Sequence, residues 1–297
     1  MNSIPSSELI INGDGSVFHL HLKPEQLADT VILVGDPGRV ETVSWYFSTI
    51  ECRARNREFV SCTGVYKRKR LTVLSTGIGV GNIDIVLTEL DALANVDFAT
   101  RTVKPAHRTL NLVRVGTSGA LQDHVAMGDA VLSEISIGFD GLLNFYAGRD
   151  AVCLADYEAA FVEQMQWSER LPAPYFVAAS EKLVRLFADI ATAGMTITAP
   201  GFYAPQGRVV RLPLADPLMN DRIRRFAYDG RTITNYEMEG AAIAGLARLL
   251  GHEAVTLCHI IADRVHRTAN AEYKNDDDDR SLTALIEQVL EKVIELA

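Results

Sequence analysis

The chain has 297 residues, 48% hydrophobic and 23% charged, which is typical of a globular enzyme and argues against a disordered protein. Its formal net charge of −9 argues against a general nucleic-acid binder, because a phosphate backbone requires a basic protein face. No apolar run approaches the roughly 18 residues of a membrane span and no signal pattern opens the chain, so we expect no membrane partner.

Apolar runs alternate with helical periodicity along the chain. Strands that are buried on both faces are typically near-continuous apolar runs. Five such runs predict strands at residues 30–35, 70–75, 110–116, 129–133 and 253–263. Periodic apolar positions predict helices at residues 82–94, at residues 237–251 and along residues 282–294. This alternation predicts a mostly parallel, helix-covered α/β sheet, and the lack of a Pro/Gly/Ser-rich linker predicts one domain over residues 1–297.

Two stretches interrupt the alternation. Residues 95–109 are long for a connection between a helix and a strand, and we interpret them as an insertion. Residues 266–280 are polar, and we expect a flexible loop before the C-terminal helix. The aspartate run 276–279 within them is compatible with a metal site, but a solvated loop is the favoured interpretation.

The first candidate sites are glycine turns that follow buried strands. In VILVGDPGRV, the backbone N–H groups after Gly35 and the guanidinium of Arg39 form a potential anion cradle. The stretch GIGVGN (77–82) fails the dinucleotide pattern GxGxxG, because Asn82 replaces the third glycine. Close backbone packing or approach to a ligand is therefore expected there.

A third turn, RVGTSGALQ, places Arg114, Thr117 and Ser118 near the carboxyl end of a strand, where ligands bind in open α/β sheets. An arginine within an apolar strand needs a partner, and a bound anion would supply one. The three turns together predict a site for an anionic ligand.

Later motifs are suited to a heterocycle and a sugar. In FYAPQGRVV, alternation along an extended segment would place Gln206 and Arg208 on one side, where an amide and a guanidinium match the polar edge of a flat ring. A solvated surface loop is the alternative for this stretch. In NYEMEG, Glu237 and Glu239 start the predicted helix, and they either cap it or accept hydrogen bonds from a sugar diol.

The last buried strand ends in IADRV, where Asp263 and Arg264 form either an intramolecular ion pair or part of a ligand site. Arg57 and His19 carry no signal by themselves. Taken together, three arginines, a diol-competent glutamate and a Gln/Arg pair describe a site for phosphate, ribose and nucleobase.

In content and order, these motifs resemble the type I nucleoside phosphorylase family over nearly the whole chain. The resemblance is carried by GDPGRV, REF, STGIG, RVGTSGALQ, FYAPQGR, NYEMEG and IADRV. The Phe-Tyr-x-x-Gln-x-Arg spacing resembles the uridine-specific branch. The fold implied is a single α/β domain with a central twisted mixed sheet, partly closed as a barrel and flanked by helices.

The resemblance also implies a role for each site residue. Phosphate would be bound by Gly35, Arg39, Arg57, Arg114 and Thr117, and Arg57 would reach the site of a neighbouring subunit. Ribose would be bound by His19, Thr117, Met238 and Glu239, and His19 would cross the subunit interface to the 5′-hydroxyl. The base would be bound by Phe202, Gln206, Arg208 and Arg264. Catalysis would depend on Arg39, Arg114, Gln206, Arg208, Glu239 and Arg264.

The reaction implied is the phosphorolysis of uridine to uracil and ribose 1-phosphate. Phosphate is then a co-substrate, no cofactor is expected, and the seven histidines lack any metal-binding motif. The partners implied are the nucleoside and phosphate, within a homo-oligomer that is a dimer or a hexamer built of dimers and has shared active sites. The spacing of the four cysteines predicts reduced thiols in the cytoplasm.

Two alternatives stay open. A purine nucleoside phosphorylase is one, because Asp263 stands where the uridine-specific pattern has Asn and purine-specific relatives use a nearby Asp as a general acid. A nucleoside-binding protein of the same fold, without turnover, is the other. A nucleoside hydrolase is disfavoured, because a reaction with water does not need three phosphate-binding arginines.

Overall fold

The computed structural model describes residues 3–266, 268–269 and 276–296. The strands in these residues are β1 (Thr30–Val34), β2 (Thr49–Asn56), β3 (Phe59–Tyr66), β4 (Lys69–Ser75), β5 (Val96–Asp97), β6 (Thr102–Val103), β7 (Asn111–Ala120), β8 (Ala130–Gly138), β9 (Tyr175–Ala178), β10 (Thr192–Thr198), β11 (Ala227–Tyr228), β12 (Arg231–Glu237), β13 (Glu253–Asp263) and β14 (Thr268–Ala269). The α-helices are α1 (Pro37–Ser44), α2 (Val80–Asn95), α3 (Arg149–Val152), α4 (Ala155–Met165), α5 (Glu181–Phe187), α6 (Met219–Arg225), α7 (Gly240–Leu250) and α8 (Asp276–Val293). Short 3₁₀ helices cover Pro24–Gln26, Leu142–Phe145 and Ala204–Gln206. None of the described helices has the length and apolar composition required to cross a bilayer.

Most of the strands form one mixed sheet in the order β11-β12-β10-β8-β13-β7-β1-β4-β3-β2, with β9 paired to β8 and β14 to β13. β1 lies parallel to β4 and β7, whereas β13 is parallel to β7 and antiparallel to β8. A further antiparallel contact joins β7 to β12 through the pairs Gly119–Tyr236 and Ala120–Asn235. It closes β7, β13, β8, β10 and β12 into a partial barrel. The mixed, partly barrel-like sheet that the family resemblance implies is confirmed. The mostly parallel sheet predicted from the alternation is wrong, because β2, β3 and β4 pair antiparallel and β8 pairs antiparallel with β9 and β13.

β1 shows why a central strand is a continuous apolar run. Val31 and Leu33 pack with α2 and α7 on one side of the sheet. Ile32 and Val34 pack with α1, α5 and α8 on the other side. Since every residue of the strand is buried, no alternation in polarity remains. The prediction of a helix-covered sheet is confirmed.

The five predicted strands correspond to β1, β4, β7, β8 and β13, and β7 and β8 extend beyond the predicted bounds. The helix predicted at residues 82–94 is α2. The helix predicted at 237–251 is α7, which ends before Gly251 as expected but begins at Gly240. Its predicted start is wrong because Glu237 is the last residue of β12 and pairs with Thr198 of β10.

Both interrupting stretches contain regular structure. Within residues 95–109, β5 and β6 form a two-stranded antiparallel sheet, and their assignment as an insertion stays a prediction. The stretch predicted as a flexible loop, 266–280, contains regular structure, because β14 pairs with β13 and α8 begins at Asp276, and its flexibility stays a prediction. The aspartate run 276–279 therefore lies in a helix and not in the loop that the sequence favoured. Residues 267 and 270–275 of the predicted loop lie outside the described residues.

Candidate active site

A cleft of about 1480 Å³ opens at the carboxyl ends of β1, β4, β7 and β13 and reaches the end of β12. Parallel strands end at one edge of the sheet, which is where ligands bind in α/β folds. Except for His19 and Arg57, the predicted site residues all line this cleft: Gly35, Arg39, Arg114, Thr117, Phe202, Gln206, Arg208, Met238, Glu239 and Arg264. Segments that are distant in the sequence therefore meet in one place.

The turns after β1 and β4 form part of the cleft wall. Asp36 caps α1 by accepting a hydrogen bond from a backbone N–H of the helix at 2.8 Å, and Arg39 follows in the first turn. After β4, the N–H of Gly79 donates to Glu239 Oε1 at 2.6 Å. The backbone of the glycine-rich residues 77–82 therefore holds the Glu239 side chain in the cleft. This role does not require the dinucleotide pattern GxGxxG, which these residues lack.

Arg114 lies on β7 with its side chain only 4% exposed and between two carboxylates. Its Nη1 is 3.0 Å from Glu237 Oε2, and its Nη2 donates to Glu239 Oε2. The chain itself thus supplies a partner for this buried arginine, and the binding of an anion by Arg114 stays a prediction. The guanidinium folds back over Gly116, where an added Cβ would lie 2.5 Å from Nη1, so a side chain at this position would displace the guanidinium.

The two glutamates have different contacts. Glu237 accepts hydrogen bonds from the backbone N–H groups of Glu239 and Gly240, at 2.8 and 2.9 Å. These bonds satisfy the backbone at the start of α7, so the capping alternative holds for Glu237. Glu237 and Glu239 both line the cleft, but Glu239 accepts from the Gly79 N–H and from Arg114. Burial raises the pKa of Glu239, and the charge of Arg114 opposes that rise.

The segment that carries Gln206 and Arg208 is a turn and not an extended strand. Ala204–Gln206 is a 3₁₀ helix that contains a proline, and Gly207 follows with φ +72°. The alternation assumed for this segment is therefore wrong, because proline in the first turn and glycine in the left-handed region favour a tight turn. The two side chains nevertheless meet. Arg208 Nη1 donates to Gln206 Oε1, and the guanidinium carbon lies 3.8 Å from the centre of the Phe202 ring.

Arg264 approaches the same turn from the end of β13. Its Nη2 donates to the carbonyl of Gln206 at 3.1 Å. Burial, and then repulsion from Arg264, lower the pKa of Arg208 to about 10. Two guanidinium groups and one amide thus converge on one region of the cleft, which favours a ligand with several acceptor atoms or developing negative charge.

Asp263 contacts its neighbours in the chain and does not line the cleft. Its Oδ2 lies 2.6 Å from His266 Nδ1, and its Oδ1 accepts from the backbone N–H groups of Val265 and His266 at 2.8 and 3.0 Å. Burial alone would raise the pKa of Asp263, but these hydrogen bonds lower it. A carboxylate with a lowered pKa is a poor proton donor near neutral pH, which argues against the general-acid role in the purine alternative.

His19 and Arg57 lie outside this cleft. His19 Nδ1 is 2.6 Å from Glu89 Oε1, and the same carboxylate accepts from the backbone N–H groups of His19 and Leu20. Arg57 is exposed in the turn between β2 and β3 and has φ +53°, a conformation that residues other than glycine rarely adopt. The prediction that His19 and Arg57 bind substrate in the site of a neighbouring subunit stays a prediction.

A group of potential metal ligands lies away from the cleft. Asp91, His107 and His252 each place one ligand atom within 4.8 Å of the others. His252 Nδ1 accepts a hydrogen bond from the backbone N–H of Leu110 at 3.2 Å, so the ring proton is on Nε2, 3.3 Å from Asp91 Oδ1. In this tautomer Nε2 has no lone pair for a metal. We interpret the contact as a histidine–carboxylate pair.

The cleft also contains polar residues that the motifs do not identify as functional. Tyr236 donates to Asn220 Oδ1 at 2.9 Å, and Asn220 Nδ2 donates to the Gln206 carbonyl at 3.1 Å. Tyr236 belongs to NYEMEG, so the motif was an available signal for it. Asn220 lies on α6 outside every motif, and only the folded chain brings it to the site.

Comparison with known proteins places the chain among phosphorylases. A family model described as the phosphorylase superfamily matches residues 29–295. The uridine phosphorylase of Thermococcus kodakarensis is 28% identical over 254 residues, which cover 85% of this chain and 79% of that protein. A purine nucleoside phosphorylase of Alkaliphilus metalliredigens is 28% identical over 245 residues, which cover 80% of this chain and 84% of that protein. The crystal structure of a Trypanosoma brucei nucleoside phosphorylase, described as showing uridine phosphorylase activity, aligns with a TM-score of 0.87 at 29% identity and covers 97% of this chain and 99% of that one.

Proposed function

Since the chain belongs to the phosphorylase superfamily, we propose that it cleaves uridine with inorganic phosphate to give uracil and ribose 1-phosphate. One observation carries the choice of base. The Gln206 amide and the guanidinium groups of Arg208 and Arg264 converge on one turn of the cleft, and they match the acceptor-rich edge of uracil. The similarity to proteins described as uridine phosphorylases supports the same choice.

In the proposed complex, phosphate occupies the region of Gly35, Arg39, Arg114 and Thr117. The Arg114 guanidinium contacts Glu239 in this structure, and in the proposed complex the two residues exchange this contact for contacts with the substrates. The Glu239 carboxylate would accept the ribose 2′- and 3′-hydroxyls, and Arg114 would donate to phosphate. Phosphate would replace Glu239 as the partner of Arg114, and ribose would replace Arg114 as the partner of Glu239. The exchange therefore couples the binding of the two substrates.

At the base, the donors of the turn would lower the barrier to bond cleavage. As the N-glycosidic bond lengthens, the ribose gains oxocarbenium character and uracil gains negative charge on O2 and O4. The Gln206 amide accepts from uracil N3–H and donates to O2, while Arg208 donates to O4 once its contact with Gln206 opens. Phe202 faces the ring and Arg264 lies beside it. These donors stabilise the departing base more than the bound nucleoside, which lowers the activation free energy.

Positioning would supply much of the remaining rate. Phosphate held by arginines is the nucleophile, and its charge offsets the cationic sugar. Fixing both reactants in one cleft lowers a barrier by roughly 7–11 kcal/mol in favourable cases. The reaction proposed uses no cofactor and no metal.

The proposed active unit is a homo-oligomer with shared sites, a dimer or a hexamer built of dimers. The support is that His19 and Arg57 lie outside the cleft of their own chain, although the family resemblance assigns them to ribose and phosphate. The cytoplasm is the proposed location, and it agrees with the four cysteines being free thiols.

A purine nucleoside is the alternative substrate, because purine nucleoside phosphorylases are among the relatives. Two features support uridine instead. Adenine and hypoxanthine have no N–H flanked by two carbonyl groups for Gln206 and Arg208 to read, and Asp263 is engaged by His266. A nucleoside-binding protein without turnover would keep the same cleft, and a kinetic assay separates it from an enzyme.

The test of substrate choice is a panel of nucleosides. The protein is incubated with phosphate and uridine, cytidine, inosine or adenosine, and the free base is quantified by chromatography. We expect uridine to be preferred. Cytosine presents an amine at position 4 and an unprotonated N3, and each unpaired buried group costs roughly 1–3 kcal/mol. Preference for inosine or adenosine would contradict the uridine assignment, and the absence of base release from every nucleoside would indicate a binding protein.

A further inference from the structure

We infer that Asn220 is a positioning residue that holds the Gln206–Gly207–Arg208 turn in the geometry that reads the base. The inference rests on the proposed function, because the role assigned to Asn220 is the selection and binding of uracil. Asn220 lies on α6, outside the sequence motifs and outside the residues that the family resemblance implies.

Asn220 connects the turn to a buried tyrosine. Its Nδ2 donates to the Gln206 carbonyl at 3.1 Å, and its Oδ1 accepts from Tyr236 Oη at 2.9 Å. Tyr236 is 1% exposed and belongs to β12, a strand of the partial barrel, so it provides a fixed support. A donor on one side and an acceptor on the other therefore fix the orientation of the amide.

The backbone of the turn also packs directly against this amide. An added Cβ on Gly207 would lie 2.2 Å from Asn220 Nδ2, and Gly207 adopts φ +72°. Both the available space and the conformation therefore require glycine here. Because the turn cannot approach further, Asn220 limits its position by contact as well as by a hydrogen bond.

The Gln206 carbonyl has a second donor, Arg264 Nη2, at 3.1 Å. In the proposed complex Arg264 lies beside the pyrimidine, so a bound base competes for the same guanidinium. Asn220 then holds the Gln206 carbonyl, and with it the turn that carries the Gln206 and Arg208 side chains. Without it, we expect the pair to meet the base in a less uniform geometry while the fold persists.

The test compares Asn220→Ala, Asn220→Asp and Tyr236→Phe with Arg225→Gln as a control. Arg225 is exposed on the same helix and does not line the cleft. Asn220→Asp keeps an acceptor for Tyr236 but removes the donor to the Gln206 carbonyl, which separates the two bonds. Thermal unfolding followed by circular dichroism shows whether each variant is folded.

For Asn220→Ala and Asn220→Asp, we expect kcat/KM for uridine to fall about 3- to 10-fold, the usual effect of one hydrogen bond. The dissociation constant of uracil, measured by calorimetry, should rise by a similar factor. KM for phosphate should stay unchanged, because these contacts lie in the base-binding region. Tyr236→Phe should show a smaller loss in the same direction, and Arg225→Gln should match the wild type.

A folded Asn220→Ala variant with wild-type kcat/KM and uracil affinity would overturn the inference. So would an equal change in the phosphate KM, since that would indicate a general structural role. If Asn220→Ala does not fold, Asn220→Asp and Tyr236→Phe decide by the same criteria. A wild-type protein that does not cleave uridine would overturn the proposed function and this inference together, whereas wild-type cleavage with unchanged variants would overturn the inference alone.

Discussion

Replacement of Arg114 by methionine probes the buried charge cluster of the cleft. The Arg114 side chain is 4% exposed, and those of its partners Glu237 and Glu239 are 0% and 6% exposed. Removal of the guanidinium leaves two carboxylates without this cation in a buried region. Loss of one partner of a buried ion pair costs about 3–5 kcal/mol, so we expect the free energy of unfolding at pH 8 to fall by that amount.

The loss should depend on pH in a defined direction. Burial already raises the pKa of Glu239, and Arg114 opposes the rise. Without Arg114 that pKa increases further, so the folded variant takes up a proton more readily than the unfolded chain. A group whose pKa is raised in the folded state adds stability as the pH falls through that pKa. The difference in unfolding free energy between wild type and variant should therefore be smaller at pH 5 than at pH 8. The decrease should be about 1.4 kcal/mol for each unit by which the Glu239 pKa rises further.

Urea unfolding followed by circular dichroism at the two pH values measures both effects, with Arg108→Met as the control. Arg108 Nε lies 2.6 Å from Asp29 Oδ1, but these side chains are 32% and 61% exposed. Loss of this exposed pair should cost less than about 1 kcal/mol at both pH values. The reasoning would be refuted if Arg114→Met lost as little unfolding free energy as the control, or if its loss were equal at pH 5 and pH 8.

Further substitutions test the site residues. Arg57→Gly removes a residue at φ +53°, so it should keep or raise the free energy of unfolding by up to about 1 kcal/mol while lowering phosphorolysis; a destabilised or fully active variant would contradict this. Gly116→Ala should lower both the urea midpoint and kcat, because its Cβ would displace the Arg114 guanidinium, and wild-type values would show that the guanidinium moves freely. Mixing inactive Arg57→Ala and Arg114→Ala chains should restore activity after subunit exchange, and a mixed oligomer without activity would argue against shared sites. Gln206→Ala and Arg208→Ala should lower kcat as well as raise KM for uridine, with about 1.5–3 kcal/mol lost in kcat/KM for the charged donor; unchanged turnover would mean that the pair does not act on the departing base.

The buried part of the sheet is the part of the fold that the sequence reveals most directly. β1, β4, β7 and β13 are apolar runs because helices or further strands cover both of their faces. β2 is not recognisable as an apolar run, because it is an edge strand that is exposed or half-buried throughout and contains Arg53 and Arg55. β10 is not recognisable either, because threonines and Gly194 interrupt its apolar pattern, although its second half is fully buried.

The motifs predicted ten residues that line the cleft, but most of the contacts of these residues could not be predicted. Arg114 meets Glu237 and Glu239 because β7 contacts β12 when the barrel closes, and a contact between such distant segments leaves no local pattern. The turn at Gln206 differs from the extended segment assumed because proline and glycine fix its backbone. Asn220 depends on the docking of α6 against this turn, so no motif could have indicated it.

Phosphorolysis of uridine is most simply measured as the dependence of uracil release on phosphate. The protein is incubated with uridine in buffers with and without phosphate, uracil is quantified by chromatography, and the sugar product is identified by ³¹P NMR. We predict that uracil forms only when phosphate or arsenate is present, and that with phosphate it forms in equal amounts with ribose 1-phosphate. Uracil release that is equally fast without phosphate, or no release under either condition, would contradict the proposed reaction.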